Sequence, residues 1–391
     1  MPRHSVRILA RPAVTTPDEV FAKVLHRLQA HRVRLEILQA AHADTEPACT
    51  FDASDLAWLE DLDTLLDTLP DEAFAAPPED PVGERLHLRA ERHVIRRHVA
   101  VKAMVEHLRA EERSVIERAV GRGVLRGMVT RHAMHERIAA LHAEAPWMAP
   151  AATAVMQAME QATRHGPAPF QTPPLILLGG PGIGKSRWAR DLAQTFAVPA
   201  LDIDIGAANG AVFALSGVER GWGNAGPGRL ARSLLSTHVA NPLVIIDELD
   251  KIPTSVTTAR GTSLPGAAEV LKSMIEPATA KAWTFPFYQL PFDLRHVSWV
   301  MTTNSLVGIP PSLLDRCRIV HIPDPTPDHL GHAAARMIAR RTSDADLRED
   351  LLGVIRALID RRHDAGQRTS LRQIRRIVDR FKVAADRVRV N

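Results

Sequence analysis

This 391-residue sequence has few of the features that are typical of secreted proteins, membrane-spanning proteins or proteins stabilised by a structural metal ion. Its two cysteines, Cys49 and Cys317, are far apart and form no metal-ligand spacing, which is typical of a reducing compartment. No apolar run approaches the roughly 18 residues that a membrane span requires. Residues 1–7 are not followed by the long apolar stretch of a secretory signal. With 45% apolar and 24% charged residues, we expect a cytoplasmic globular protein of two or three domains.

A glycine-rich segment follows the apolar run 175–178, which has the composition of a buried strand. The segment fills every fixed position of the pattern G-x-x-x-x-G-K-[ST] and consists of Gly179, Gly180, Pro181, Gly182, Ile183, Gly184, Lys185 and Ser186. In such a loop, backbone N–H groups surround the phosphates, the lysine reaches the β- and γ-phosphates, and the hydroxyl binds Mg²⁺. A helix-compatible segment, 186–196, follows the loop and adds the positive end of its dipole. The pattern predicts a nucleoside triphosphate site.

An acidic pair follows a second apolar run, 243–246, which reads as another strand buried on both faces. Asp247 is the candidate residue for holding Mg²⁺, directly or through water. Glu248 is the candidate base that orients and deprotonates the attacking water. The alternative is a strand end followed by a solvated acidic turn, which the preceding phosphate-loop pattern disfavours.

Together these motifs resemble those of AAA+ ATPases, and specifically the ATPase module of Lon-type proteases. The resemblance covers roughly residues 147–385. It rests on D-E-L-D-K at 247–251, the tyrosine-bearing segment 285–294, V-M-T-T-N-S at 300–305 and I-P-P-S-L-L-D-R at 309–316. It implies ATP and Mg²⁺ as cofactors and a homo-oligomeric ring, with a hexamer favoured over a helical or lower-order assembly.

The resemblance also assigns roles to residues outside the phosphate loop. Asn304 would contact the γ-phosphate or the attacking water. Arg316 would act as an arginine finger on a neighbouring subunit's nucleotide, with Arg318 as the lesser candidate. Arg368, in A-G-Q-R at 365–368, would contact the phosphates from the lid of its own chain; nearby arginines leave that assignment open (Arg372, Arg375 and Arg376).

Trp222 occupies the place where the family carries its pore-loop aromatic residue. A large ring on the glycine-rich stretch 219–229 has little around it to pack against, and in a ring assembly it could grip a threaded polypeptide. The alternative interpretation is a packed anchor of the loop.

The alternation of strand and helix patterns predicts an α/β fold with a parallel, doubly wound sheet. Together with the resemblance, it implies an AAA+ phosphate-loop NTPase with a C-terminal helical lid and an all-helical N-terminal domain. The predicted domains are 1–145 (helical, for a substrate or partner), 146–325 (nucleotide-binding) and 326–391 (lid). The predicted strands are 175–178, 199–204, 243–246, 297–302 and 319–322. The predicted helices include 16–43, 54–69 and 82–120 in the first domain and 330–340, 351–363 and 371–388 in the lid, which opens with a cap at Thr326.

We therefore predict an ATP-hydrolysing motor that remodels or threads protein substrates. The sequence ends after the lid, so we expect no protease domain and no peptidase activity.

One alternative is a nucleic-acid-dependent ATPase that binds through the stretch 84–137, which contains 13 Lys or Arg residues and 7 Asp or Glu residues. Interleaved acids, scarce aromatic residues and a net charge of only +4 favour a solvated helix there. A second alternative is a slow, ATP-gated scaffold. His132, His135 and Glu136 share a helix face but are interpreted as surface residues.

Overall fold

The structure is a computed structural model, and it describes residues 5–6, 8, 102–119, 123–204, 211–221, 225–252, 255–257, 263–342 and 344–390. The chain divides into two compact units, one of residues 11–121 and one of residues 1–10 with 122–391. The predicted helices 16–43 and 54–69, Cys49 and Trp222 lie outside the described residues. None of the described helices has the length and apolar character that crossing a membrane requires.

The described elements are numbered in chain order. The strands are β1 Ser5–Val6, β2 Gly123–Val124, β3 Leu175–Leu178, β4 Ala200–Asp204, β5 Gly217–Val218, β6 Gly226–Pro227, β7 Leu243–Asp247, β8 Ser255–Thr257, β9 Ser263–Pro265, β10 Trp283–Phe285, β11 Leu290–Phe292, β12 Ser298–Thr303 and β13 Arg318–His321. The helices are α1 Ala110–Ala119, α2 Arg131–Glu144, α3 Ala149–Ala162, α4 Lys185–Thr195, α5 Ala211–Ser216, α6 Arg229–Thr237, α7 Ala267–Ile275, α8 Pro277–Ala280, α9 Pro311–Leu314, α10 Pro327–Ala339, α11 Ala345–Asp364 and α12 Leu371–Val390.

Five parallel strands form the central sheet of the larger unit, in the order β13-β3-β12-β7-β4. Leu175, Ile176 and Leu177 of β3 and the whole apolar run of β7 are buried, as expected for strands covered by helices on both faces. Because all five strands run the same way, the loops that follow β3, β7 and β12 meet at one edge. The predicted parallel, doubly wound sheet is confirmed, with strand bounds within one residue of those predicted.

Helix α2 belongs to the core of the larger unit. Its buried residues Met134, Ile138 and Leu141 are spaced along one helix face and share a hydrophobic cluster with Leu175 of the central sheet. The core therefore does not divide at the boundary predicted at residue 146. Pro146 lies in a single 3₁₀ turn, Pro146–Met148, that joins α2 to α3. Proline at a helix start marks an element boundary and not necessarily a domain boundary.

The lid helices α10, α11 and α12 have a hydrophobic cluster of their own, which includes Leu330, Ile355 and Ile374. Helix α10 begins where the sequence predicts. The Thr326 hydroxyl accepts a hydrogen bond from the His329 backbone N–H at 3.3 Å, and the His329 ring accepts one from the Thr326 N–H at 3.3 Å. Pro327 occupies the first helical position, where its missing N–H costs no bond.

In the smaller unit the structure describes residues 102–119. The prediction of one continuous helix over 82–120 is wrong in this part, because residues 106–109 form a turn between helical residues 102–105 and helix α1. The Glu112 carboxylate accepts a hydrogen bond from the Arg109 N–H at 3.0 Å, and the Arg113 side chain donates to the carbonyl of Glu106 at 3.1 Å. These bonds satisfy backbone groups that the interruption leaves without helical partners.

Candidate nucleotide-binding and hydrolysis site

The phosphate-loop segment connects the carboxyl end of β3 to the first turn of α4. Gly182 and Gly184 have φ angles of 76° and 94°, a region that residues with a Cβ rarely adopt. Pro181 is exposed and Ile183 is buried. The Gly179 N–H donates a hydrogen bond to the Thr303 carbonyl at 3.2 Å, which attaches the loop to the end of β12. Gly182 and Gly184 are thus required by the backbone path itself.

Lys185 is the first residue of α4 and is only 7% exposed. Its Nζ donates hydrogen bonds to the carbonyls of Gly179 at 2.6 Å and Gly180 at 2.9 Å, and to the Asn304 side-chain oxygen at 3.0 Å. Burial, aided by the nearby Arg368 guanidinium, lowers the pKa of Lys185 to about 8. A bound phosphate would supply the negative charge that this desolvated ammonium group lacks.

The candidate metal ligands Ser186 and Asp247 are in direct contact. One oxygen of the Asp247 carboxylate accepts hydrogen bonds from the Ser186 hydroxyl and, at 2.8 Å, from the Thr302 hydroxyl. The other oxygen lies 3.7 Å from the Arg190 guanidinium, which also donates to Asp202 at 2.8 Å. Mg²⁺ prefers oxygen ligands and is commonly held by one or two protein groups together with phosphate oxygens. The convergent hydroxyl and carboxylate fit that ion.

Glu248 follows β7 directly and has a left-handed backbone conformation, with φ of 59°. Its side chain is 44% exposed, and one carboxylate oxygen accepts a hydrogen bond from the Lys251 Nζ at 2.6 Å. This contact raises the pKa of Lys251. Since Glu248 follows β7, it lies at the same carboxyl edge of the sheet as the phosphate loop, which follows β3.

Residues at the start of the third lid helix touch the phosphate loop. The Arg368 guanidinium, paired with Asp324, lies so close to Gly180 that a Cβ on that glycine would come within 2.1 Å of its carbon. The Leu371 backbone N–H donates a hydrogen bond to the Gly182 carbonyl at 3.0 Å. The structure therefore brings Arg368 to the loop, whereas Arg375 lies 3.9 Å from Asp379.

Arg316 lies away from this group of residues. Its Nε donates a hydrogen bond to the Glu276 carboxylate, and a terminal nitrogen donates to the Ser312 carbonyl at 2.6 Å. Arg318 pairs in the sheet register with Leu175, the first residue of β3, and donates to Gln157 at 2.7 Å. Both arginines thus lie at the amino edge of the sheet, whereas the phosphate loop lies at the carboxyl edge. Arg316 is not part of the site formed by its own chain.

The two histidines of α2 lie beside carboxylates. His132 lies 3.3 Å from Glu136, and His135 lies 2.9 Å from Glu160, which is also paired with Arg131. In the described ranges, no three His, Cys, Asp or Glu side chains are grouped so that they could hold a metal ion. The exposed His132 and His135 fit the interpretation of surface residues.

Sequence reasoning missed several groups that the fold brings to the site. Thr302 is two residues before Asn304, so strand alternation could have placed both on one side of β12. Arg190 lies about one helical turn beyond Ser186 and carried no distinguishing pattern. Trp147, whose indole N–H donates a hydrogen bond to the Ile183 carbonyl, precedes that residue by 36 positions and carried no signal either.

Comparison with known proteins agrees with this geometry. Residues 175–324 match the model of the family described as "ATPase family associated with various cellular activities (AAA)". The chain is 33% identical over 156 residues to a peroxisomal Lon protease homolog 2 of Zea mays, which covers 40% of this chain and 17% of that protein. It is 34% identical over 154 residues to a mitochondrial Lon protease homolog of Yarrowia lipolytica (39% and 12%), and 32% over 185 residues to a Lon protease of Nitrosococcus oceani (47% and 23%).

The matched stretch spans less than a quarter of each of these relatives. The chain carries an AAA domain, and the predicted resemblance to the ATPase module of Lon-type proteases is confirmed.

Proposed function

We propose that this AAA domain hydrolyses ATP with Mg²⁺ and that the protein uses the energy to remodel or thread protein substrates. The observation that carries the proposal is the convergence of four side chains at one edge of the sheet. Lys185 contacts Asn304, and Ser186 contacts Asp247, so a cation for phosphate, a polar group for the γ-phosphate and two metal ligands lie side by side.

In this proposal, different residues of the chain have different roles in phosphoryl transfer. The loop N–H groups and Lys185 bind the phosphates, while Ser186 and Asp247 hold the metal. Mg²⁺, which Ser186 and Asp247 would hold, would neutralise the negative charge that develops on the transferred phosphoryl group. Glu248 leaves Lys251, orients the attacking water and accepts its proton. Asn304 leaves Lys185 and contacts the γ-phosphate or that water.

A ring assembly, with a hexamer favoured, completes the proposed site. Arg316 lies at the amino edge of the sheet and cannot reach its own phosphate loop, so its proposed role is on the nucleotide of a neighbouring copy. An arginine supplied in this way stabilises the charge of the transition state. Arg368 acts from the lid of the same chain.

The choice of a protein substrate rests on two points. The relatives are named as proteases, which act on proteins, and this similarity lies in their ATPase segment. Trp222, outside the described residues, falls in the sequence between β5 and β6, which pair as an antiparallel hairpin. In our proposal Trp222 contacts the threaded polypeptide.

The test is the steady-state ATPase rate of the purified protein, alone and with an unfolded protein, single-stranded DNA or double-stranded DNA. We expect stimulation by the unfolded protein. The variant Trp222→Ala should keep its basal rate and lose both the stimulation and any remodelling of a folded reporter protein. Stimulation by DNA alone, or unchanged remodelling by the variant, would contradict the proposed substrate, and no hydrolysis by the natural protein would contradict the ATPase itself.

A further inference from the structure

Trp147 touches the phosphate loop from outside the motif. It lies in the 3₁₀ turn between α2 and α3 and is 5% exposed. Its indole N–H donates a buried hydrogen bond to the carbonyl of Ile183 at 2.9 Å. A buried indole N–H needs a partner, and here that partner is a backbone group in the middle of the loop.

This hydrogen bond has a consequence for the opposite side of the loop. A trans peptide unit is planar, so its C=O and N–H point in opposite directions. By holding the Ile183 carbonyl, Trp147 directs the Gly184 N–H away from itself. The neighbouring unit is held in the same way, because the Leu371 N–H binds the Gly182 carbonyl at 3.0 Å and thereby orients the Ile183 N–H. N–H groups of this loop are the ones that bind phosphates.

The tryptophan itself is held by the lid. Its ring lies against the His329 ring in the first turn of α10, with the ring centres 5.8 Å apart. The end of α2 that precedes it is fixed by Arg336, also on α10, which donates hydrogen bonds to the carbonyls of Ala143 at 2.8 Å and Glu144. Trp147 therefore connects the lid to the phosphate loop through contacts that involve no nucleotide.

We infer that Trp147 is a positioning residue for phosphate binding, which fixes the Gly184 N–H toward the nucleotide and makes its orientation depend on the lid. This inference rests on the proposed function, since it assumes that the loop binds a nucleotide. It assigns no contact between Trp147 and the nucleotide itself.

The variant Trp147→Phe tests the inference because it keeps a ring and removes the N–H. Loss of one neutral hydrogen bond corresponds to about a three- to tenfold weaker affinity. We expect that loss for ADP and ATP in direct titrations, with a raised KM for ATP and a kcat within about twofold of the natural protein. Trp283→Phe is the matched control: its indole N–H also donates a hydrogen bond, to the Ser273 hydroxyl at 2.9 Å, but it lies in the β10–β11 hairpin.

A probe without a base separates positioning of the loop from contact with adenine. Inorganic tripolyphosphate, competing against a fluorescent ADP analogue, should lose the same factor in affinity as ATP does. Tripolyphosphate affinity that stays constant while ATP affinity falls would overturn the inference, and so would unchanged affinity for both.

Two further measurements keep the test decisive. Thermal unfolding shows whether Trp147→Phe folds. If it does not fold, His329→Ala is used in its place, because it removes the ring packed on Trp147. For His329→Ala we expect a smaller loss of affinity, about twofold, for the same probes. An unchanged tripolyphosphate affinity in His329→Ala would then count against the inference. Failure of the natural protein to bind ATP would instead refute the proposed function.

Discussion

The two edges of the central sheet carry different halves of the proposed reaction. At the carboxyl edge, Lys185 contacts Asn304 and Ser186 contacts Asp247, forming one connected group of side chains. At the amino edge, Arg316 is bound to Glu276. One chain thus presents a complete phosphate-binding edge and an arginine that this edge cannot use. In the proposed ring, a complete site would combine the carboxyl edge of one copy with the amino edge of the next.

The charged groups of Lys185 and Arg316 also have different environments. Lys185 is buried, and its pKa is lowered to about 8, so it is prepared for a ligand that enters its own loop. Arg316 has a side chain that is 34% exposed, and its counter-ion Glu276 is exposed to a similar degree. Pairs of this kind are weak, and a stronger anion can displace the carboxylate. A neighbouring copy could therefore recruit Arg316 at little cost.

The largest effect should come from two variants, each of which removes a side chain from one edge of the sheet. We expect Arg316→Ala to lower kcat by about a thousandfold or more while nucleotide binding persists, because a trans-acting arginine stabilises only the transition state. Lys185→Ala should instead lose nucleotide binding. Mixing the two inactive proteins should restore part of the ATPase activity, since some interfaces then combine an intact loop with an intact arginine.

Arg318→Ala is the matched control for this mixture. Arg318 also lies at the amino edge but donates to Gln157 of its own chain, and its removal should change kcat little. A mixture that stays inactive, although both proteins assemble with the natural subunit, would contradict the division between edges. A larger loss in Arg318→Ala than in Arg316→Ala would move the trans role to Arg318.

A smaller but still large effect should follow from Glu248→Gln at the carboxyl edge. The amide cannot accept the proton of the attacking water, so we expect kcat to fall about a hundredfold or more while ATP affinity is unchanged. Single-turnover hydrolysis and ATP titration measure the two quantities. Glu269→Gln is a matched control, because Glu269 is also bound to a lysine three residues later, Lys272. Near-normal hydrolysis by Glu248→Gln would remove Glu248 from the role of base.

The smallest expected effect concerns the thiol beside Arg316. Burial raises the pKa of Cys317 to about 12, although the Arg316 charge opposes the shift. Only the thiolate reacts with alkylating reagents, so in a Cys49→Ser background Cys317 should react at least about a hundredfold more slowly at pH 8 than in the unfolded chain. The rate should rise about tenfold per pH unit from pH 8 to pH 10. Rapid alkylation that levels off near pH 9 would show that this edge is more open than the structure indicates.

Several parts of the fold and site could be predicted because they depend on local pattern. The buried strands appear as unbroken apolar runs, and the phosphate loop requires glycines where φ is positive, as at Gly182 and Gly184. The start of α10 follows from the capping pair Thr326 and Pro327. Each of these signals is contained within a few neighbouring residues.

Other parts depend on contacts between distant segments. The membership of α2 in the core follows from its packing against α3 and α4, and no feature of its own sequence distinguishes that from packing in a separate helical domain. The Glu276–Arg316 pair joins residues 40 positions apart, and the Trp147–Ile183 bond joins residues 36 apart. No spacing rule predicts such pairs.

The sequence by itself determined the chemistry of this protein: a phosphate loop, an acidic pair, a polar residue after a strand and an arginine before another strand. The tertiary structure decided which of these groups can act together. Parallel strands collect the residues that follow them at one edge and the residues that precede them at the other. Since that arrangement exists only when the sheet is formed, the separation of Arg316 from Lys185 and the attachment of Trp147 to the phosphate loop are properties of the fold.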